Sequence, residues 1–185
     1  MAGSLPVLRP VVVSLICMRS LRSRGMTESD APPTLRRAAD TDVRAITDLV
    51  ADAYRQYEPL IGRTPLPMLI HYEDAISKHD IWVLDADGTL VGILELERRP
   101  DHLWIENVAV SPSWQGQGLG RRLLGHAEDE ARRQGLTELG LLTNERYVEN
   151  IAMYTRYGYV ETDRVPHQGT DLVYFRKRLE PEQAV

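Results

Sequence analysis

Apolar positions along this chain recur with two periods, and each switch between them marks an element. Residues 34–38 read as a first strand. Val43, Ile46, Leu49, Val50 and Ala53 then return at helical spacing, with Asp40 or Thr41 as the cap for the free N–H groups of that helix. Pro59, Gly62, Pro65 and Pro67 break the chain into a loop, and a second helix is predicted over residues 66–78. Strands are predicted at 81–84 and 90–96, joined by the turn Asp85-Ala86-Asp87-Gly88, and at 103–110. In the next helix Leu119, Leu123, Leu124, Ala127 and Ala131 form the buried stripe and Arg121, Glu128 and Arg132 the wet one. Gly135 ends that helix as a C-cap. A buried strand over 138–142, a helix over 147–157 closed by Gly158, and strands over 159–162 and 172–178 complete the series. This order implies a mixed α/β sheet with helices on both faces.

Composition narrows the class. The chain has 185 residues, of which 43% are hydrophobic and 26% charged, values ordinary for one soluble globular domain. Residues 34–180 are expected to form that domain, with 1–33 an N-terminal extension without fixed structure and 181–185 a tail. Four arginines and no acid fall in residues 1–25, whereas the whole chain has net charge −5. The body is therefore acidic, which argues against nucleic acid as partner and tolerates a cationic amine. A short apolar run, residues 11–18, precedes Arg19, Arg22 and Arg24. A signal peptide places its basic residues first, so an extension is preferred over a targeting segment, with Met26 as an alternative start. No apolar run approaches a membrane span. The single Cys17 excludes an internal disulfide framework and fits a reducing compartment, so a cytoplasmic location is expected. His71, His79, His102, His126 and His167 show no metal-ligand spacing, and no metal is expected.

The most informative stretch is Val110-Ser111-Pro112-Ser113-Trp114-Gln115-Gly116-Gln117-Gly118-Leu119-Gly120-Arg121. A glycine-rich turn from a strand into a helix leaves backbone N–H groups pointing outward. With the positive end of the helix dipole they make an anion cradle. Gly116, Gly118 and Gly120 remove the side chains that would hold a ligand off the backbone. The dinucleotide fingerprint needs a third glycine where Arg121 stands, and the phosphate-binding loop of nucleotide hydrolases needs Gly-Lys followed by Ser or Thr. Neither pattern is met.

What is left, Gln-x-x-Gly-x-Gly on Gln115, Gly118 and Gly120, resembles the pyrophosphate-binding signature of the Gcn5-related N-acetyltransferases (GNAT). A second segment, from Asn150 through Tyr154 to Gly158 and Tyr159, looks like the C-terminal signature of the same family. The resemblance covers about residues 34–179. It implies a mixed, mostly antiparallel sheet of six to seven strands flanked by about four helices. It also implies acetyl-CoA as co-substrate and acetyl transfer to a primary amine by direct attack in a ternary complex.

Carried onto this chain, the family's cofactor contacts fall on Val108, Ala109 and Val110, on Gln115, Gly116, Gln117, Gly118, Leu119, Gly120 and Arg121, and on Asn150. The family's strand at 108–110 splays from its neighbour and offers main-chain groups to the pantetheine arm. Tyr154 stands where the family places the acid that protonates the leaving thiolate. A phenol near pKa ~10 facing a thiolate near ~8.5 meets only a modest gradient. Glu106 is the candidate base, on a strand face it shares with Trp104, Val108 and Val110 by the period of two. Burial would raise its pKa. Glu95 and water stay open as alternatives. Arg121 and Arg122 could add charge to the phosphates. Tyr54, Tyr57, Arg63 and Tyr72 are candidates for the amine pocket, which would take a small-molecule or peptide amine. Cys17 lies outside the domain and is a poor nucleophile. A non-catalytic acyl-CoA-binding module on the same scaffold, or a protein-acetylating enzyme, is the alternative reading. Both monomer and homodimer stay open.

Overall fold

A computed structural model describes residues 31–180. The expectations for residues 1–30 and 181–185, and for Cys17, lie outside the described residues. Seven strands form one sheet in the order β1-β2-β3-β4-β5-β7-β6: β1 Thr34–Arg37, β2 Asp80–Ala86, β3 Thr89–Arg98, β4 Leu103–Val110, β5 Glu138–Asn144, β6 Val160–His167 and β7 Thr170–Arg178. Every neighbouring pair is antiparallel except β4 and β5. Four described helices have seven residues or more: α1 Val43–Tyr54, α3 Tyr72–Lys78, α4 Leu119–Arg133 and α5 Val148–Arg156. A single turn, α2 Glu58–Ile61, lies between the first two. The expected mixed, mostly antiparallel sheet with helices on both faces is what the chain forms.

Two apolar cores sandwich the sheet. On one face α4 seats Leu119, Leu123, Leu124, Ala127 and Ala131, the stripe read from the sequence, against Leu94, Ile105, Val108 and Val110. Met153 and Tyr154 of α5 join that core. On the other face Ile46, Leu49, Val50, Ala53 and Tyr54 of α1 pack with Tyr72 of α3 on Val83, Ile93, Trp104 and Ala109. All eight residues of β4 are buried, as expected for a strand covered on both faces.

Three local expectations need correction. The helix predicted over 66–78 is split, with a 3-10 turn at Leu66–Leu69 and α3 starting at Tyr72. Ile70 and His71 between them have extended ψ angles, because Pro65 and Pro67 favour a short turn over a continuous helix. Neither Asp40 nor Thr41 caps α1. A 3-10 turn at Asp40–Asp42 precedes it, and Asp42 accepts from the Ala39 N–H at 2.8 Å and from Arg36 at 2.7 Å. β6 runs to His167, past the predicted end at 162, because Gln168 and Gly169 both take positive φ and close a tight hairpin. Pro166 is tolerated there because β6 is the edge strand.

The junction between β4 and β5 organises the site. These parallel strands pair only at Leu103–Leu139 and Trp104–Gly140. From Ile105 onward the two diverge, leaving one edge of β4 without a ladder partner. The close approach at the vertex depends on Gly140, where an added Cβ would stand 2.7 Å from Trp104 Cε3. Gly140→Ala is expected to destabilise the fold by about 1–3 kcal/mol, the usual cost of overpacking, read as a lowered urea midpoint with an unchanged slope.

Candidate active site

At the end of β4 the chain makes a 3-10 turn, Pro112–Trp114, and passes through Gln115 to Gly116 and Gly118, whose φ angles are 77° and 78°. Gly118 is the N-cap of α4, and no side chain caps that end. The first hydrogen bond into the helix is Arg122 N–H to Gly118 O at 3.1 Å. The N–H groups of Leu119, Gly120 and Arg121 therefore have no acceptor inside the helix. The Gln115 side chain donates to Val110 O at 3.0 Å and so braces the loop against the strand that delivers it.

This turn opens onto a cavity of about 290 Å³ walled by Val110, Trp114, Gln115, Gly116, Gly118, Leu119, Gly120 and Arg121, and across from them by Met153 and Tyr157 of α5 and its C-terminal cap. A Cβ added at Gly118 would meet nothing within 4 Å. The space in front of the cap is therefore open, and the donors aimed at it suit a phosphate group. Seven of the expected cofactor contacts thus surround one cavity. Gln117 lies in the same loop, exposed. Val108 and Ala109 are fully buried, on opposite faces of the sheet. Arg122 is tied to the carbonyl of Pro33, whereas Arg121 stays on the cavity wall.

Asn150 and Tyr154 are buried on α5, with 1% and 0% exposure. The Tyr154 ring packs in the α4-side core, 5.7 Å from the Tyr159 ring and 5.9 Å from that of Phe175. Its chain neighbour Met153 lines the cavity.

Glu106 sits where the ladder slips. Glu95 of β3 faces Asn107 but Leu96 faces Ile105, so Glu106 is an extra residue that bulges out of β4. The bulge corrects the expected face. Trp104, Asn107 and Ala109 lie toward α1, while Ile105, Val108 and Val110 lie toward α4. Glu106 therefore does not share a face with Val108 and Val110. It joins a cluster that the sequence did not reveal. Arg99 donates to Glu97 at 2.9 Å and to Glu106 at 3.2 Å, and its guanidinium lies 4.0 Å from the centre of the Trp104 ring. Burial, and then the hydrogen bond and charge of Glu97, push the Glu106 carboxyl up to about 8 against the pull of Arg99. Glu97, opposed by burial, is still held below its ordinary range by Arg99 and by the hydrogen bond from Glu106. Next to this pair, His79 lies 2.6 Å from Glu95. That hydrogen bond raises the imidazole pKa against burial.

Asn107, immediately after the bulge, is fully buried. It accepts from Tyr54 at 2.7 Å and donates to Tyr72 at 2.9 Å. Tyr54 and Tyr72 thus clamp α1 and α3 to β4 and do not line an open pocket. Tyr57 stacks on Tyr147 with ring centroids 4.0 Å apart. One signal for the missed residues was available. Glu95 and Glu97 are two apart on a strand otherwise apolar from Val91 to Leu96, so they share a face.

Comparison with known proteins gives the scaffold a family. A model described as the acetyltransferase (GNAT) family matches residues 44–159. The aminoglycoside N(6')-acetyltransferase type 1 of Stenotrophomonas maltophilia is 35% identical over 105 residues, covering 52% of this chain and 64% of that protein. The chain thus spans a little under two thirds of that relative's length. The N-alpha-acetyltransferase RimI of Mycobacterium tuberculosis is 30% identical over 139 residues, covering 72% of this chain and 82% of the relative. The PaiA N-acetyltransferase of Thermoplasma acidophilum, solved in complex with coenzyme A, has the same fold. Its TM-score is 0.68 at 16% identity, over 78% of this chain and 98% of that one. No described helix is long and apolar enough to cross a membrane. A glycine turn with free amides at the mouth of two diverging strands, matched by the family model across both, places this chain in the acetyltransferase (GNAT) family.

Proposed function

We propose that the chain is an acetyl-CoA-dependent N-acetyltransferase in which an amine attacks the thioester directly within a ternary complex. The observation that carries this reading is the cradle of unpaired N–H groups opening onto a cavity where β4 and β5 part. The diphosphate lies against the amides of residues 116–121, Arg121 adds charge, and the pantetheine arm follows the unpaired edge of β4 past Val108, Ala109 and Val110. Asn150 contacts its amides.

The amine arrives as an ammonium ion and must lose a proton before its lone pair can attack. Glu106 in its ionised form takes that proton. Nitrogen bonds to the carbonyl carbon, the carbon–sulfur bond breaks, the departing sulfur receives a proton from Tyr154, and the second proton lost by the nitrogen as it becomes an amide restores the phenol, while Glu106 releases its proton to solvent. The products are an amide, the free coenzyme thiol and one proton. The relatives support an amine acceptor, since they are named for aminoglycoside, streptothricin and ribosomal-protein alanine acetylation. A cytoplasmic location belongs to the same proposal.

A panel of amines assayed for free thiol release tests the reading. Tight coenzyme binding without thiol release on any amine would favour a non-catalytic acyl-CoA-binding module. Tyr154→Phe is expected to lower kcat about 10²-fold, the lower range for a general acid, while the calorimetric Kd for acetyl-CoA stays within about twofold. An unchanged kcat across pH would remove Tyr154 from the chemistry.

A further inference from the structure

The chemistry above leaves two polar side chains near the end of β5 without a task. Arg63 follows α2, where Gly62 takes φ of 69° and turns the chain out of the helix. His167 ends β6, just before its hairpin turn. Both residues are half-buried. The Nε of Arg63 and the Nε2 of His167 are buried and hydrogen-bond to nothing among the described residues. Neither side chain joins an ion pair among those residues. Buried polar groups normally find partners, so two orphans in one place need a reason.

Hydrogen bonds fix the backbone that carries them. The Arg146 side chain donates to Leu60 O at 2.8 Å and ties α2 to the loop after β5. The Arg146 N–H donates to Asn144 Oδ1 at 3.0 Å, Asn144 donates to Thr170 Oγ1 at 2.7 Å, and Thr170 donates to His167 O at 3.3 Å. Burial, and then the charge of Arg63, hold the His167 imidazole below its ordinary pKa. The same charge reaches Tyr147, whose phenol burial and Tyr57 push up against the pull of Arg63. A guanidinium and a neutral imidazole thus offer donors to one anion, and no carboxylate of the described chain is paired with either.

The stacked Tyr57 and Tyr147 belong to the α1-side core, whereas Val110, Leu119 and Met153 of the cradle belong to the α4-side core. An acceptor arriving on the α1 side would meet Arg63 and His167 without crossing the coenzyme. Strand register sets the length it needs. Glu106 lies about level with Leu142, and His167 about four residues farther along the sheet, roughly 13 Å at about 3.3 Å per residue. The ammonium and carboxylate of one free amino acid are too close to span that interval, whereas about three or four extended residues cover it.

We infer that Arg63 and His167 form an anion subsite for the acceptor, and that the acceptor is a peptide whose acidic side chain stands at the third or fourth place from the amino group to be acetylated. The inference rests on the acetyltransferase reading and narrows its amine.

The test is free thiol release on hexapeptides with a free amino terminus. Each carries a single glutamate at the second, third, fourth or fifth place and is matched with its glutamine counterpart. At the third or fourth place kcat/KM is expected to favour glutamate about tenfold, a modest value for a charge-assisted hydrogen bond because the pair is only half-buried. Arg63→Gln is expected to bring that ratio close to one, with the loss in KM, since the anion is held equally before and during reaction. His167→Ala, on the edge strand, is expected to reduce the ratio by a smaller factor, and keeps the test open if Arg63→Gln does not fold. A glutamate preference at no place or only at the second, a ratio that survives both variants, or acetylation of small amines but of no peptide overturns the subsite and leaves the acetyltransferase reading standing. Thiol release on no amine of any kind overturns both.

Discussion

Gly118→Asp is expected to abolish acetyl-CoA binding in a protein that still folds. Gly118 has φ of 78° and open space where its Cβ would stand. Aspartate is among the few residues that tolerate this conformation, so the cost to folding is small. The loss comes from placing a carboxylate in front of the free amides, where the diphosphate must sit. Two like charges about 4 Å apart at an effective dielectric near 20 repel by about 4 kcal/mol, roughly 10³-fold in Kd. Gly118→Asn has nearly the same shape without the charge and is expected to lose much less. Calorimetry on both variants separates charge from bulk. Normal binding by the aspartate variant would show that the anion lies elsewhere.

Glu106→Gln is the second large effect. General base catalysis contributes about 10² to 10⁴ in rate, and kcat/KM is expected to fall within that range. The pH dependence identifies the group. Only the ionised carboxylate accepts a proton, and the Glu97–Glu106 pair holds one up to about pH 8. Activity of the unaltered protein should therefore rise with pH and level off above about 8, and the glutamine variant should lose that rise. If the variant keeps both rate and profile, the base is Glu95 or water.

Stability should move the opposite way. The folded-state pKa of Glu106 is raised, so its contribution to stability is complete below its ordinary 4.5 and is lost as pH rises through about 8. Glutamine does not ionise, so the variant is expected to melt above the unaltered protein at pH 8 and to match it in acid. A thermal melt at both pH values checks this gain in stability beside the loss of activity.

The cradle was legible because its chemistry is written in the backbone. Three glycines, a preceding strand and a following amphipathic helix are all local, and the structure assembles Gln115, Gly116, Gly118, Leu119, Gly120 and Arg121 around one cavity as that pattern implies. The base region was only half legible. Glu106 stood out as an acid in an apolar strand, but Arg99, Glu97 and His79 acquire meaning only when β2, β3 and β4 are side by side. The error over Val108 and Val110 has the same origin. Alternation along a strand holds until a residue is inserted, and the inserted residue is defined by the partner strand. The division of the helix at Ile70 and His71, by contrast, is written locally in Pro65 and Pro67.

Taken alone, the chain determined its helical stripes, its glycine turn and hence its capacity to grip an anion, because each depends on residues within one or two turns of each other. Tertiary structure decided the bulge that turns Glu106 toward Glu97 and Arg99, the separation of β4 from β5 beyond Gly140, and the placing of Met153 and Tyr157 across the cavity from the glycine turn. These depend on register and on contacts between segments far apart in sequence, which only the packing of the whole sheet against its helices can set.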